Sequence, residues 1–486
     1  MTLNKLAFAL AAAGFASGAY ATNGMNLEGY GPIAHAMGGA SMAYDNGNAA
    51  MMNNPATLGL VADGSNRLDV AVGFLGPDVT SKMPMMPDAE SGGDAYVMPA
   101  VGWSRKTGAL TYGVGMFAQG GMGTEYGKDS FVSGYRSLGY AMSNGAAGSA
   151  GMTGMEARSE LGVGRVLFPV AYDVNPAFTV GGSLDFVWGG LDLAMPLSGD
   201  MFGDMMPGST NYFGAISPTS TMLGSLNGMM QSGMVADIRY GHFDFSNGDS
   251  FNVRQKTNGT GFAGKIGFVW KASPSVQVGG TYHTKTDMSD FKGNGTMTLG
   301  VTTGTGANMD IPVPGKLAVH DFQWPETFGL GVSFKPNDRT MIALDYKRLN
   351  WSDVMKNFHM TFTANSSAGN VGMGLANQTF EATLRQDWDD QNIVMLGVSY
   401  KTTDKLTLRG GVNLASNPIP ENITNPLFPA TIENHYTVGF GYEIDPSSEV
   451  NFSLAFAPEV TVKSAVTQMS IDHSQMNWQL MYSKRF

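Results

Sequence analysis

The sequence predicts an all-β protein, a 14-stranded antiparallel transmembrane β-barrel built around an N-terminal segment enclosed by its lumen. Three observations predict this fold. Only 14% of the residues are charged and 65 of the 486 are glycine, which is unusual for a soluble protein. From residue 66 onward, apolar residues alternate with small or polar ones in fourteen segments of roughly ten residues. Beyond the N-terminus, no stretch approaches the ~18 consecutive apolar residues that indicate a membrane-spanning helix.

Residues 1–21 have the organisation of a secretory signal peptide. A basic start at Lys5 precedes an Ala-rich apolar run over residues 6–18, and Ala21 completes a small-residue cleavage site. We expect cleavage after Ala21. The apolar run is too short to span a membrane, so the remaining chain is expected to leave the cytoplasm without a helical anchor.

Residues 22–64 are predicted to form a plug, or hatch, inside the barrel. The first 39 of these residues contain seven glycines and no lysine or arginine. A free N-terminal arm, the alternative, is usually polar and charged. Glycine interrupts the apolar runs too early for a stable free helix, so the order of the segment must come from its surroundings. Near its end, Asn54 is expected to cap a helix that begins at Pro55 and Ala56.

Residues 65–486 are predicted to form the barrel wall. In its first strand, for example, Leu68, Val70 and Val72 alternate with Asp69 and Ala71. A soluble β-sandwich would also alternate, but its strands would not need aromatic residues near both ends of the apolar face. The chain ends in an alternating segment that closes on an aromatic residue, which resembles the C-terminal strand of bacterial outer-membrane barrels.

The connections between the strands alternate between short turns and long loops. Such alternation indicates hairpins with tight turns at one rim and long loops at the other, so we expect both termini in the periplasm of a Gram-negative bacterium. The long loops are predicted around residues 77–94, 120–158, 190–260, 289–323, 351–390, 416–433 and 458–475.

Composition and motifs exclude several functional classes. The formal net charge of −11 argues against a nucleic-acid partner, and the lack of cysteine excludes a disulfide scaffold and a Cys-based metal or catalytic site. Seven histidines are scattered without ligand spacing, and neither a GxSxG motif nor a phosphate-binding loop occurs. We therefore expect no enzyme activity, no cofactor and no resident metal, although calcium in an outer loop stays open.

The hatch and the strand pattern resemble the FadL/TodX family of outer-membrane transporters for long-chain fatty acids and aromatic hydrocarbons. The resemblance covers the whole chain after the signal peptide. It is most specific over residues 34–60, which include the run MGGASMAYDNGNAAMMNNPATLGL. It also rests on the Asn54-Pro55-Ala56 triplet, which the resemblance places within the hatch, on the fourteen strands and on the terminal Phe486.

The resemblance implies a lateral route for hydrophobic cargo. In the family, loops capture the substrate, an internal pocket receives it, and an inward kink in the third strand releases it sideways into the outer leaflet. Here the third strand is predicted over residues 110–119, and the kink falls at Phe117, Gly120, Gly121 and Gly123. Three glycines in four residues can break a strand ladder, but the strand could equally end there in a loop.

Two sets of side chains are candidate ligand contacts. By alternation, Arg165, Lys265 and Lys347 face the lumen, where they could bind a carboxylate or simply pair with acids such as Asp185. The loop over residues 190–260 is a candidate capture surface because methionine adapts to irregular apolar shapes, although the loop could instead pack on itself. Its candidate residues are Met205, Met206, Phe213, Met222, Leu223, Met229 and Met230.

Three functions from different classes remain open at this point. The first is a plugged, monomeric channel whose partners are a hydrophobic small molecule and the lipid and lipopolysaccharide of the outer membrane. The second is a porin for polar solutes, which would conduct ions. The third is an adhesion or binding protein anchored by its barrel. The ligand of the first, a fatty acid or a neutral hydrocarbon, is not determined by the sequence.

Overall fold

The computed structural model describes residues 23–134, 153–247 and 255–486, so the predicted signal peptide lies outside the described residues. The described chain forms a 22-stranded sheet in which all pairings are antiparallel. The strands are β1 (Asn66–Lys82), β2 (Ala89–Glu90), β3 (Tyr96–Thr107), β4 (Leu110–Tyr126), β5 (Ala157–Asn175), β6 (Phe178–Ser198), β7 (Gly214–Ile216), β8 (Val235–Phe245), β9 (Thr257–Lys271), β10 (Val276–His283), β11 (Asp287–Met288), β12 (Phe291–Thr303), β13 (Asn308–His320), β14 (Thr327–Asn337), β15 (Thr340–Leu349), β16 (Asn357–Ala364), β17 (Thr379–Arg385), β18 (Gln391–Lys401), β19 (Leu406–Ala415), β20 (Asn434–Asp445), β21 (Ser448–Lys463) and β22 (Ser470–Arg485).

The helices are short and lie in the hatch and in the connections. Within the described ranges, none has the length and apolar character to cross a membrane. They are α1 (Pro32–His35), α2 (Gly199–Met205), α3 (Thr221–Gln231) and α4 (Ala368–Gly372), with 3-10 turns at Gly47–Met51, Pro55–Leu60, Phe131–Ser133, Trp351–Asp353 and Glu421–Ile423.

The sheet closes because the last strand pairs with the first. The β22–β1 ladder runs from Arg67–Arg485 to Lys82–Ser470, and β22 pairs with β21 on its other side. Along the strands, large apolar side chains such as Phe168 and Val170 are exposed on the outer surface, while their neighbours face the interior. The apolar outer band is the face that a bilayer would cover.

The predicted number of strands is wrong, because the closed barrel has 16 strands and not 14. The sequence places β8 and β12 inside long loops, but both take part in the wall. β6 pairs with β9 over Phe178–Leu191 and with β8 over Leu193–Ser198. β8 in turn pairs with β12, which reaches β9 through Lys292 and Asn258. The two additional strands therefore enter the wall on the loop side.

Further strands extend the sheet beyond the closed wall on that side. β12 is followed in pairing order by β13, β16, β17 and β7. These strands lie in the connections over residues 190–260, 289–323 and 351–390, which the sequence predicts as loops. The inner face of this extension buries Phe362 and Phe380, and both rings contact Phe243 of β8. Burial of this apolar face explains why these segments fold as strands.

Residues 23–60 occupy the interior of the barrel. Nearly every side chain in this range is buried, and only Asp45 is exposed. The α1 helix packs on β20, β21 and β22, whereas the Pro55–Leu60 turn packs on β5, β6 and β9. The hatch therefore contacts the wall on widely separated strands.

Candidate transport path

Asn54 joins the hatch to the wall and begins the last hatch helix. Its side-chain oxygen accepts a hydrogen bond from the backbone N–H of Ala56 at 3.1 Å, which confirms the predicted helix cap with Pro55 in the first position. Its Nδ2 donates to the carbonyl oxygens of Met42 at 2.8 Å and Phe268 at 3.0 Å. One amide thus holds two hatch turns against β9.

A buried contact between a carboxylate and an imidazole fastens the opposite side of the hatch. His35 Nε2 lies 2.6 Å from Glu28 Oε1, and His35 Nδ1 lies 2.8 Å from Ser453 Oγ on β21. Asn477 Nδ2 on β22 donates to the same Glu28 oxygen at 3.0 Å. Burial alone would raise the pKa of the Glu28 carboxyl, but His35 and His435 outweigh it and hold that pKa well below its usual range.

A second ion pair lies near the turn rim. Arg67 on β1 binds both carboxylate oxygens of Asp45, at 2.9 and 3.0 Å. The backbone N–H of Asn48 donates to Asp69 Oδ2 at 2.7 Å. A bidentate pair of this kind fixes both the distance and the relative orientation of the two side chains. The Arg67–Asp45 pair therefore holds the hatch in one orientation relative to β1.

Wall glycines allow the hatch to approach the strands closely. A Cβ atom at Gly279 of β10 would overlap the carbonyl oxygen of Met42, and one at Gly181 of β6 would lie 2.5 Å from the backbone nitrogen of Ala56. Hatch and wall therefore meet backbone to backbone at these points.

β3 and β4 separate partway along their length. Their ladder runs from Thr107–Leu110 to Ala100–Phe117 and stops there, although β4 continues beside β5 to Tyr126. We call the space between residues 96–99 of β3 and residues 118–126 of β4 the lateral opening. The predicted third strand thus does not end at residue 119. Its glycines stay in the strand and pair with β5 while leaving β3.

A β-bulge accompanies this separation. The β4–β5 register shifts between Ala118 and Gly120, and Gly120 has a φ of 155°. The backbone N–H of Gly121 donates to the carbonyl oxygen of Met25 at 3.0 Å. β4 therefore forms a hydrogen bond to the hatch in the part of the strand that no longer pairs with β3. A Cβ atom at Gly120 would overlap that same oxygen. The residue here must therefore be glycine.

The bulge also reverses which residues of β4 face outward. Before it, the even-numbered Val114 and Met116 are exposed on the outer surface. After it, the even-numbered Thr124 and Tyr126 are buried and contact the carbonyl oxygen of Pro426, so they face inward. Gly121 and Gly123 accordingly lie on the outer face.

A cavity of about 590 Å³ extends through the lateral opening. On the inside it is lined by Leu27 of the hatch and by the buried side chains of His473 and Gln475. On the outside it reaches Val97 and Met116, which are 46% and 39% exposed on the outer face. The same space therefore joins the lumen to the surface that a bilayer would cover.

A second cavity, of about 190 Å³, lies on the loop side. Of the predicted capture residues, only Phe213 lines it. Met205, Met222, Leu223 and Met229 are instead buried in the apolar core, Met206 is half-buried against it, and Met230 is exposed. The remaining apolar lining comes mostly from other connections and includes Met83, Met86, Phe131, Val132, Leu384 and Met469.

The three predicted lumen cations are buried, and two of them share one carboxylate. Arg165 Nη1 lies 2.9 Å from Asp185 Oδ2, and the Lys265 ammonium contacts the same oxygen. Arg165 Nε also donates to Gln119. Lys347 and Lys265 line a small cavity of about 20 Å³ next to the hatch. None of the three lines the cavity at the lateral opening.

Sequence reasoning missed Tyr96 and Trp188 at that cavity. Tyr96 begins β3, and its hydroxyl lies against Gly123 across the lateral opening, while the Trp188 ring lies against Gly164 on the outer face. The position of Tyr96 depends on the separation of β3 from β4 and on the face reversal after Ala118, whereas Trp188 lies opposite Gly164 by regular pairing of β5 with β6. Neither the separation nor the reversal is encoded in the alternation of β3 or β4.

Comparison with known proteins gives one family match and several structural matches. A family model described as outer membrane protein transport protein (OMPP1/FadL/TodX) matches residues 8–483. Among curated proteins, an uncharacterised Chlorobium limicola protein from the phosphoenolpyruvate carboxykinase gene 5′ region is 42% identical over 105 residues, 22% of this chain. That match spans 51%, about half, of the length of the relative.

Two solved structures resemble the chain over almost its full length. The toluene transporter TodX of Pseudomonas putida is 28% identical with a TM-score of 0.77, over 95% of this chain and 99% of TodX. The toluene transporter TbuX of Ralstonia pickettii is 29% identical with a TM-score of 0.73, over 95% and 99% of the two chains.

Proposed function

The chain belongs to the OMPP1/FadL/TodX family of outer-membrane transport proteins, and from that premise we propose that it takes up neutral hydrophobic molecules, in particular monoaromatic hydrocarbons. In this proposal the cargo enters from the long loops and leaves sideways between β3 and β4. The turn rim and both termini lie in the periplasm, and the barrel works as a monomer surrounded by lipid and lipopolysaccharide.

One observation carries the lateral route: the cavity of about 590 Å³ is lined both by hatch residues and by lipid-facing side chains. A solute in that space has a continuous path from Leu27 to Val97 and Met116. The straight route along the barrel axis is filled by the hatch, which ion pairs and backbone contacts fasten to the wall. An apolar solute that leaves toward the bilayer also avoids the free-energy cost of entering water.

The arrangement of charges favours neutral cargo over a carboxylate. Arg165 and Lys265 already share Asp185, so a carboxylate ligand would have to displace an internal partner from a buried site. Arg158, which lines the cavity, is surrounded by Glu125, Glu156 and Glu160 at 3.6–3.7 Å. An anion at the lateral opening would thus meet more negative than positive charge. The toluene that TodX and TbuX transport is neutral, in agreement with this reading.

Uptake measurements test the class of cargo. We expect cells that lack their own channel of this type to accumulate labelled toluene faster when they express this protein, and to accumulate labelled palmitate no faster. Surface detection and the heat-modifiable mobility of the barrel on gels control for expression and folding. Faster palmitate uptake without faster toluene uptake would contradict the neutral-cargo proposal. If the uptake of neither compound increased, that result would contradict the proposed transport function.

A one-residue deletion tests the lateral route. Removal of Gln119 takes out the extra residue of the bulge, so β4 can continue in register with β5 and beside β3. We expect toluene uptake to fall by about tenfold or more, a barrier raised by roughly 1.4 kcal/mol, while the barrel still folds.

The matched control is Gln119→Ala, which keeps the bulge but loses the side-chain contact to Arg165. It should retain most of the uptake. Equal uptake by the deletion variant and the wild type would refute an exit between β3 and β4.

A further inference from the structure

Four glycines lie close together in the outer face of the wall beside the lateral opening. Gly121 on β4 pairs with Gly162 on β5, and Gly164 pairs with Ala118. These β5 glycines share the face of Phe168 and Val170, which are exposed on the outer surface. Directly paired residues lie on the same face of a sheet, so Gly121 also faces outward. With Gly123, these glycines form the floor of a depression that we call the outer trough: Gly121, Gly123, Gly162 and Gly164.

Two aromatic side chains and an amide border the outer trough. The Trp188 ring lies so close to Gly164 that a Cβ atom there would overlap it. The Tyr96 hydroxyl takes the corresponding position at Gly123, and it also lies 2.5 Å from where a Cβ atom of Gly93 would be. Gln255 covers Gly162, with its Nε2 3.1 Å from the position of an added Cβ. These three side chains thus cover the outward sides of Gly164, Gly123 and Gly162, and a Cβ atom at Gly121 would overlap the carbonyl oxygen of Leu161.

The outer trough is continuous with the lumen. Its four glycines line the same cavity of about 590 Å³ that reaches Leu27 inside the barrel. At one end, the cavity meets Val97 and Met116 on the lipid-facing surface. At the other end, Glu160, which pairs with Gly123, and its ion-pair partner Arg158 make the boundary polar. An apolar molecule in the trough is therefore directed toward the bilayer and away from the loops.

We propose that the outer trough is a binding site for one planar, neutral aromatic molecule. The proposal rests on the proposed transport function and adds a second binding site to the transport path, on the outer face of the wall. Both Trp188 and Tyr96 line the cavity here, and they offer aromatic edges and faces to a ring bound in it. A side chain added at Gly162, where only the end of Gln255 lies close, would compete with the ring for this part of the cavity.

A substitution on the floor tests the site without changing the lumen. Gly162→Leu places an outward side chain in the trough, and the neighbour it meets first is the flexible end of Gln255. We expect toluene uptake to fall by about tenfold, a barrier raised by roughly 1.4 kcal/mol, with normal heat-modifiable mobility of the barrel.

The matched control is Gly264→Leu. Gly264 lies on the outer face of β9 between the exposed Phe262 and Ile266, and its nearest contacts to an added Cβ, at 3.7–3.8 Å, are ordinary. It should transport at the wild-type rate. Equal rates for the two leucine variants would overturn the outer trough while leaving transport intact, whereas no uptake by the wild type would overturn the proposed function itself.

A labelling experiment tests occupancy directly, because the natural chain has no cysteine. In Gly162→Cys, reconstituted in phospholipid vesicles, we expect toluene to slow the reaction of the thiol with an apolar maleimide. In Gly264→Cys, toluene should have no such effect. Equal slowing in both variants, or none in either, would overturn the proposal. A thiol at 162 that is already protected without toluene would instead assign the trough to a lipid acyl chain and would also overturn it.

Discussion

Glu28 shows how single residues hold the hatch in place. Its carboxylate is fully buried, and it connects His35 of the hatch to Asn477 of β22. Removal of one partner from a buried charged pair leaves the other partner uncompensated. The contact therefore stabilises the closed position of the hatch only as long as Glu28 is ionised.

We expect Glu28→Gln to weaken hatch attachment by roughly 3 kcal/mol. The variant should insert normally, because the wall strands are unchanged, but hatch amides should exchange hydrogen faster. Hydrogen exchange followed by mass spectrometry, peptide by peptide, measures this. Glu90→Gln, at an exposed position on β2, is the control and should exchange like the wild type. Unchanged exchange over residues 23–60 in the Glu28→Gln variant would contradict the role of the pair.

The same pair predicts a dependence on pH. The pKa of Glu28 in the folded protein is lowered, so its contribution is fully present above the ordinary glutamate value of 4.5 and is lost as the pH falls through the lower folded value. Wild-type hatch exchange should thus stay constant from neutral pH down to about 4.5 and accelerate only in stronger acid, after correction for the intrinsic rate. The Glu28→Gln variant should show no such acid transition.

At this scale, sequence reasoning succeeded where the signal was local. Asn54 and Pro55 are adjacent, and the cap they form with Ala56 depends on nothing outside that turn. The Glu28–His35–Ser453 contact could not be predicted, because His35 and Ser453 are 418 positions apart in the chain. Likewise, alternation indicated that Arg165 and Lys265 face inward, but not that they share Asp185.

Among the structural elements, β10 illustrates how closely wall and hatch fit. Gly279 faces the carbonyl oxygen of Met42, with no room for a side chain. We expect Gly279→Val to push the hatch away from β10 while the barrel still closes, because valine suits a strand. Single-channel recording in planar bilayers should then show ion conductance that the wild type lacks. Gly264→Val, on the outer face of β9, is the control. A silent Gly279→Val channel would show that the hatch accommodates the side chain.

Elements were predictable where one face of the strand is apolar and the other is not. That pattern identified the hairpins with short turns, such as β5 with β6 and β20 with β21. It failed for β8, β12 and β13, which lie in segments rich in glycine and methionine that the sequence suggested were loops. These strands are stabilised by burial against one another and against the apolar core of the loop side, and such partners cannot be read from a local window.

For the whole molecule, the filled lumen determines what can pass. The hatch occupies the interior of the described barrel and is bonded to strands on several sides, so we expect it to block hydrated ions along the axis. We expect reconstituted wild-type protein to show almost no conductance in planar bilayers, and a general porin in the same bilayer is the positive control. Steady, porin-sized currents through the wild type would support the polar-solute alternative and contradict the proposed function.

The type of global architecture was predicted, but the number of strands was not. Composition, alternation and the long and short connections together predicted an antiparallel barrel with an N-terminal hatch. The count of 14 was wrong, because β8 and β12 join the wall only on the loop side, beside a strand that changes partner along its length. A change of partner leaves no trace in the periodicity of a strand, since β6 alternates in the same way beside β8 as beside β9.

The reversal of faces in β4 follows from a single extra residue, and this gives the lateral opening an unusual genetic dependence. Point substitutions alter the chemistry of a strand but keep its parity, so they leave the inside and the outside of β4 where they are. Loss of the codon for residue 119 would instead remove the bulge and make the β4–β5 ladder regular. The opening between β3 and β4 therefore depends on the number of residues in β4 as well as on their identity.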